Sequence, residues 1–282
     1  MKKKRSTIAW IVAAALLLGL IAWTLWSNKA LEVNAYAVSG VHLPEAFDGY
    51  RIAHVSDLHN TTIGKNNSKL LSLLREANPD MIAITGDMID SHHTDVAVAL
   101  EFAQEAVRIA PCYYVTGNHE SRLPAEYAQL KEGLLALGVE VLEDDRVALE
   151  REGETVTLIG VCDPAFQADD HGQAIGKTLQ ELRDDGHYTI LLSHRPELFH
   201  VYAENNMDLV LSGHAHGGQF RLPFIGGLIA PHQGLFPQYD GGEYIQSNTH
   251  MIVSRGIGNS IIPIRFNNRP EIVLIQLETA NP

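Results

Sequence analysis

Residues 8–26 are uncharged and largely apolar, and beyond them the pattern breaks into short apolar runs separated by stretches of helical period. The first stretch, about 19 residues, is long enough to cross a bilayer as a helix. Ile52-Ala53-His54-Val55-Ser56, Met81-Ile82-Ala83-Ile84-Thr85-Gly86, Tyr113-Tyr114-Val115-Thr116-Gly117, Ile190-Leu191-Leu192-Ser193 and Leu209-Val210-Leu211-Ser212-Gly213 read as buried strands. Between them Leu70, Leu74 and Ala77 share a helical face, as do Val96, Leu100, Ala103 and Val107. Tyr127, Leu130, Leu134 and Leu137 make a third such face, and Ile175, Leu179 and Leu182 a fourth. Strand and helix in alternation predict parallel β-α-β connections. Two stretches depart from that order. Residues 139–161 read as a meander of short strands, and the chain after His216 is rich in Gly and Pro with β-type runs such as Met251-Ile252-Val253. The predicted fold class is therefore α/β with mixed sheets.

Each of the five strand-like runs stops on a residue able to hold a metal. Asp57 and His59 follow the first, Asp87 the second, Asn118 and His119 the third, His194 the fourth, and His214 and His216 the fifth. Ligands of open α/β sheets sit beyond the carboxyl ends of the strands, so one crevice can collect all of these side chains. Carboxylate, imidazole and amide donors together suit manganese, iron or zinc better than calcium. So many donors predict two divalent ions, about 3.5–4 Å apart, with one carboxylate between them. Singly, each block has a plain structural reading: an Asp that ends a strand, a Gly-Asp turn, a core histidine, or an Asn in a left-handed turn. All five in order are what point to chemistry.

The order Asp57-x-His59, Gly86-Asp87, Gly117-Asn118-His119-Glu120, His194, Gly213-His214-x-His216 resembles the calcineurin-like metallophosphoesterase family. Gly217-Gly218-Gln219, Ser254-Arg255-Gly256-Ile257-Gly258, Pro263-Ile264-Arg265 and Arg269-Pro270-Glu271 resemble its membrane-associated bacterial branch. The resemblance implies two mixed β-sheets packed as a sandwich flanked by helices, with both metals at one edge. It implies that Asp57, His59, Asp87 and His216 hold one metal and that Asp87, Asn118, His194 and His214 hold the other, with Asp87 bridging. It further implies a metal-bridging hydroxide attacking phosphorus, and His119 either as proton donor to the leaving oxygen or as stabiliser of the phosphoryl charge. A neighbouring carboxylate would favour the protonated form of His119, and Asp90 is the candidate.

The remaining histidines carry less. His54 lies inside an apolar run and reads as core, while His92 and His93 are placed to line a rim without being ligands. His42, His171, His187, His200 and His232 read as surface residues, and His250, before a strand, is given no role. Arg195 has two open readings, a phosphate contact or a brace for its loop. Cys112 and Cys162 adjoin apolar runs and read first as structural free thiols, with a disulfide between them permitted outside the cytoplasm. The segment Leu222-Pro223-Phe224-Ile225-Gly226-Gly227-Leu228-Ile229-Ala230 reads first as a hairpin of the second sheet and alternatively as an apolar lip beside the site.

Lys2, Lys3, Lys4 and Arg5 precede the first apolar stretch, and Trp10, Trp23 and Trp26 stand towards its ends. Aromatic rings there favour the membrane interface, and a basic flank keeps its own end in the cytoplasm. A cleaved signal peptide competes with this reading, but Ala35-Tyr36-Ala37, the cleavage-like triplet, lies within what reads as a first strand. The expected organisation is a basic leader over residues 1–7, a transmembrane anchor over 8–26, a connector over 27–35 and a catalytic domain over 36–282. This places the protein at the cell membrane, single-pass, with its N-terminus cytoplasmic and its domain extracytoplasmic.

Charge narrows the partners. Beyond residue 35 the chain carries 16 basic against 33 acidic residues, with no basic cluster of the kind that neutralises nucleic-acid phosphates. No nucleic-acid groove is expected, and an anionic substrate has to be held by bound cations. The expected function is a membrane-anchored, dinuclear-metal phosphohydrolase that prefers phosphodiesters, acting on a lipid-linked or cell-envelope phosphoester. A phosphomonoesterase acting on proteins or nucleotides remains an alternative. A non-catalytic metal-binding scaffold is another, weakened by the presence of both Asp87 and His119.

Overall fold

The computed structural model describes residues 2–167, 171–184, 186–259 and 262–280. Met1 and the side chains of Lys2, Lys3, Lys4 and Arg5 of the leader, the side chain of His171, and residues 168–170, 185, 260–261 and 281–282 of the domain lie outside that description. Two six-stranded sheets form the body of the protein. The first contains β1 (Glu32–Gly40), β2 (Arg51–Val55), β3 (Met81–Thr85), β4 (Cys112–Val115), β5 (Glu140–Val141) and β16 (Glu271–Thr279), in the order β1-β16-β2-β3-β4-β5. From β2 to β5 all neighbours are parallel, β16 is antiparallel to β2, and β1 is parallel to β16.

The second sheet contains β6 (Asp145–Arg151), β7 (Glu154–Gly160), β8 (Thr189–Leu192), β9 (Leu209–Ser212), β14 (Gly242–Gln246) and β15 (Thr249–Val253), ordered β14-β15-β9-β8-β7-β6. It is parallel from β15 to β7 and antiparallel at both edges. Helices α2 (Ser68–Ala77), α3 (Val96–Ala106) and α5 (Pro124–Ala136) cover the first sheet, while α6 (His171–Leu182) and α7 (Phe199–Glu204) cover the second.

Side-chain alternation along each strand assigns residues to three apolar layers. Ile52, Met81 and Ala83 meet Ile190, Leu192, Leu209 and Leu211 between the sheets. Their neighbours Ala53, Val55, Ile82 and Ile84 turn the other way, onto Leu70, Leu74, Phe102 and Leu130 of the outer helices. Leu191 and Val210 likewise leave the middle layer to pack on Ile175, Leu179, Phe199 and Tyr202. Each such aliphatic side chain contributes about 1.5–3 kcal/mol when removed from water. These layers fix strand register, since a one-residue slip would send each apolar set to the wrong face. His54 sits in this frame as a core residue, its Nε2 2.7 Å from Thr85 Oγ1. Burial depresses its pKa to about 3.

Helix α1 (Lys2–Ser27) carries the predicted span, with Ile8, Trp10, Leu16, Leu18, Trp23 and Trp26 all exposed. Residues 6–27 are long and apolar enough to cross a membrane. Two sequence expectations need adjusting. A domain boundary at residue 36 would cut β1, whose backbone pairs with β16 from Glu32 onward. The apolar segment after Leu222 does form hairpins, but not as part of the second sheet: β10 (Arg221–Leu222) pairs with β11 (Gly226–Gly227), and β12 (Ile229–Ala230) with β13 (Gly234–Leu235), as separate two-stranded ladders.

Candidate metal centre

Parallel pairing brings β2, β3 and β4 to a common end, with Val55 opposite Ile84 and Thr85 opposite Val115. The chain then turns sharply, and five of the polar residues just past strand ends adopt left-handed backbone: Asp57 (φ 53°), His59 (43°), Asp87 (50°), His214 (67°) and His216 (48°). Such conformations cost a non-glycine residue about 1–3 kcal/mol and persist where the surroundings over-determine them. Here the surroundings are close. A Cβ on Gly117 would lie 2.2 Å from Asp87 Oδ1, and one on Gly213 would lie 2.5 Å from Asp57 Oδ2. The Glu120 carboxylate, in the short helix α4 (Asn118–Ser121), accepts the N–H groups of Asp87 at 2.9 Å, Gly117 at 2.8 Å and Ile89 at 3.3 Å.

Asp57, His59, Asp87, Asn118, His194, His214 and His216 are all buried. His59 Nε2 lies 3.8 Å from Asp57 Oδ1, 3.6 Å from Asp87 Oδ2 and 3.2 Å from His216 Nε2, which is itself 3.3 Å from Asp57 Oδ1. On the other side of Asp87, His194 Nε2 stands 3.2 Å from the same Oδ2 and 3.1 Å from His214 Nδ1. Asp57, His59 and His216 thus form one group with metal-binding geometry, and Asp87, His194 and His214 a second. The Asp87 Oδ2 oxygen faces both.

The chemistry of these donors fits a pair of cations. His194 Nδ1 donates to the Thr85 carbonyl at 2.7 Å, so a neutral ring presents its Nε2 lone pair to the Asp87 carboxylate. Two acceptors at 3.2 Å repel unless a positive charge stands between or beside them. Burial alone would lower the His194 pKa, yet Asp87 raises it to about 10, and Asp57 with Asp90 lifts His59 against burial to about 9. Burial likewise works to raise the Asp87 carboxyl, but His194 and His59 hold it well below the usual carboxylate range. The electrostatics ask for positive charge at both groups, which divalent metals supply. Asn118 adds an amide oxygen that is buried with no hydrogen-bond partner, an acceptor awaiting a Lewis acid.

His119 joins the same crevice, its ring edge-on to His59 with centroids 4.5 Å apart. Its Nδ1 accepts the Ser91 N–H at 2.9 Å, so the neutral ring carries its proton on Nε2. Burial outweighs Asp87 and Asp90, both of which favour the protonated form of His119. Asp90 Oδ2 stands 3.6 Å from His119 Nδ1, a nitrogen already engaged by Ser91, and 3.4 Å from His59 Nδ1. The His119 pKa is depressed by that burial to about 4, and the Asp90 carboxylate stands between His59 and His119, slightly nearer the former. His92 and His93 serve through their backbone, donating to Asp90 Oδ1 at 2.8 and 3.0 Å, with exposed side chains.

Several partners were not visible in the sequence. Arg195 is a brace: its Nε and Nη2 grip Asp163 at 2.5 and 2.9 Å, and its Nη1 lies 3.1 Å from His214 Nε2. His232, exposed as expected, places Nδ1 2.7 Å from Arg195 Nη1 and 2.9 Å from His214 Nε2, so that it and the guanidinium together back the ligand ring. Nothing in the local pattern around His232 announced this, because a loop 18 residues away in sequence delivers it. Arg265, fully buried, approaches His216 Nδ1 to 3.5 Å. Glu120 had a signal, since it sits in the third block immediately after His119. His250 stays away from the crevice because it opens β15, opposite the start of β9, and pairs with Glu243 at 2.8 Å. Both cysteines are free.

Comparison with known proteins agrees with this geometry. The profile of the calcineurin-like phosphoesterases matches residues 50–218. A metallophosphoesterase from Bacillus subtilis, YkuE, is 29% identical, with 89% of this chain and 87% of that protein aligned. The phosphodiesterase YaeI of Escherichia coli is 26% identical over 81% of this chain and 82% of its own length. A transmembrane protein with a metallophosphoesterase domain from Danio rerio is 28% identical over 98% of this chain, which spans 63% of that longer relative.

Proposed function

The chain belongs to the calcineurin-like phosphoesterase family, and from that premise we propose that it is a membrane-anchored phosphohydrolase that works with two divalent metal ions and prefers phosphodiesters. The observation that carries the reading is Asp87 Oδ2, 3.6 Å from His59 Nε2 and 3.2 Å from His194 Nε2, a carboxylate oxygen shared by two donor groups. Asp57, His59, Asp87 and His216 would hold one ion, and Asp87, Asn118, His194 and His214 the other. Bound cations of the manganese, iron or zinc type supply Lewis acidity to a phosphoryl group and lower the pKa of water.

The chain's own residues do the rest. Glu120 and the tight approaches at Gly117 and Gly213 hold the carboxylates of Asp87 and Asp57 in place. Asp90 and His232 orient the ligand rings of His59 and His214 from behind. His119, neutral with its proton on Nε2, offers an N–H suited to donate a hydrogen bond to the charge that develops on a phosphoryl or departing oxygen. The likeness to the phosphodiesterase YaeI supports the diester preference. Helix α1 and the likeness to a transmembrane relative support an anchor, with the basic end in the cytoplasm and the domain outside.

The test is hydrolysis by the full-length protein, loaded with manganese, of bis-p-nitrophenyl phosphate against p-nitrophenyl phosphate. Faster turnover of the diester is expected. Clear preference for the monoester would replace the diesterase reading, and no turnover of either with two ions bound would favour a scaffold.

A further inference from the structure

Beside the candidate metal centre lies a group of large apolar side chains with nothing covering them. Phe224, Ile225, Leu235 and Phe236 of the small hairpins are exposed, as are Ile262 and Ile264 of a neighbouring segment. The two segments are one unit. Gln219 Nε2 donates to the carbonyls of Ile262 at 2.6 Å and Ile264 at 2.9 Å, and the Arg221 N–H donates to the Phe266 carbonyl at 2.9 Å. Isolated apolar residues are ordinary on a protein surface, but a contiguous group beside a site marks an interaction surface.

The same unit is bolted to the end of α1. Asn28, two residues past Trp26, donates from Nδ2 to the Arg265 carbonyl at 2.7 Å and accepts the Arg265 N–H at 2.8 Å. The Arg269 guanidinium lies 5.0 Å from the Trp26 ring. Trp23 and Trp26 mark the level at which the helix leaves a bilayer, since aromatic rings settle at that interface. Ile264, adjoining Arg265, and Ile262 are therefore held near that level, through Arg265 on Asn28 and through Gln219. Lys29 adds positive charge near that height, while the Arg269 guanidinium is taken up by Glu32 at 2.7 Å and by the Ala30 and Leu31 carbonyls, which ties the end of α1 to the domain.

The inner side of this surface is the wall of the centre. Arg265 Nη2 reaches to 3.5 Å from His216 Nδ1, and His232, between β12 and β13, reaches to 2.9 Å from His214 Nε2. We propose that the outer side docks onto the bilayer from which α1 emerges, through Phe224, Ile225, Leu235, Phe236, Ile262 and Ile264, so that the metal centre opens at the level of the lipid headgroups. The occupant of the apolar surface is lipid, and the phosphoesters within reach are those displayed at the membrane surface. This inference rests on the reading of α1 as an anchor.

The test measures depth, not turnover. The full-length protein carries a nitroxide at one introduced cysteine, Leu16→Cys, Phe224→Cys or Glu150→Cys, in vesicles of phosphatidylethanolamine and phosphatidylglycerol. Glu150 is an exposed reference opposite Thr155 at the start of β7, the end of the sheet away from the site. At positions 16 and 224, dissolved oxygen should relax the label several-fold more, relative to a water-soluble nickel chelate, than at 150. A label at 224 that behaves like the one at 150 overturns the docking while leaving the anchor and the hydrolase reading intact. A label at 224 shielded from both agents, with dipolar broadening, assigns the surface to a second copy of the chain and also overturns it. Nickel access at position 16 removes the anchor and the docking together, and hydrolysis in solution is judged separately.

Discussion

The carboxylate of Glu120 accepts the backbone N–H of Asp87 at 2.9 Å, holding by its main chain the residue whose side chain faces both donor groups. Glu120 also takes the N–H groups of Gly117 and Ile89, so three buried donors depend on one side chain. In Glu120→Gln the amide NH2 must face one of them. We expect metal affinity to fall about 10–100-fold, the range seen when outer partners of a metal site are lost. Stability should drop by about 1–3 kcal/mol for the unpaired donor. Isothermal metal titration and thermal melts of the metal-free protein measure the two effects.

Asp87→Ala and His119→Ala separate binding from chemistry. The first removes the oxygen that lies 3.6 Å from His59 Nε2 and 3.2 Å from His194 Nε2, so metal and activity should disappear together. The second should retain both ions and lose about 10²–10³-fold in turnover, the usual worth of one hydrogen-bond donor to transition-state charge. Elemental analysis beside rate measurement decides it, and two tightly held ions in Asp87→Ala would refute the shared role.

Gly213→Ala is a small change with a large expected consequence. The new methyl would stand 1.9 Å from Ser56 Oγ and 2.5 Å from Asp57 Oδ2, so Asp57 has to move. The purified variant should fold and bind fewer than two ions per chain. Circular dichroism and metal content report on this, and full occupancy with unchanged rate would show that the turn gives way elsewhere.

Asp163→Ala removes the two-point partner of the buried Arg195 guanidinium and leaves it only Glu197, 3.4 Å from Nη1. Breaking a buried pair from one side costs about 3–5 kcal/mol. Since Arg195 also touches His214, the variant should lose stability and metal affinity together, whereas a phosphate-binding Arg195 would lose only substrate affinity. Denaturant unfolding and Michaelis constants distinguish the two.

The thiols give a pH prediction. Burial pushes both Cys112 and Cys162 up to about 12. Near pH 8 each is then thiolate in only about one part in 10⁴, against a sizeable fraction for a free thiol with pKa about 8.5. Ellman's reagent should find almost no reactive thiol in the native protein and two per chain in guanidinium. The sign of the linkage follows: above the usual thiol range only the unfolded chain ionises, so stability falls as the pH rises there.

The strand–helix alternation and the donors at strand ends were legible because both arise locally. A period of two or 3.6 is written into neighbouring residues, and parallel strands deliver their ends to one side. Thus the buried faces of Leu70, Leu74 and Ala77, or of Tyr127, Leu130 and Leu134, appear where periodicity put them. What stands behind the donors was harder to read. Asp90 favours protonated His119 as its place in the sequence suggests, yet burial outweighs it and Asp90 stands nearer still to His59. Only folded geometry ranks two partners that differ by tenths of an ångström.

The family, the alternation of elements, the apolar N-terminal stretch and the residue types able to hold metal can all be read from the chain, since each is carried by short-range pattern. Tertiary structure alone decided that Asp87 faces both donor groups, that Arg195 braces through Asp163, and that Asn28 joins the end of the helix to Arg265 beside His216. Those relationships link residues far apart in the chain. They exist only because burial of three apolar layers fixes where each loop must end.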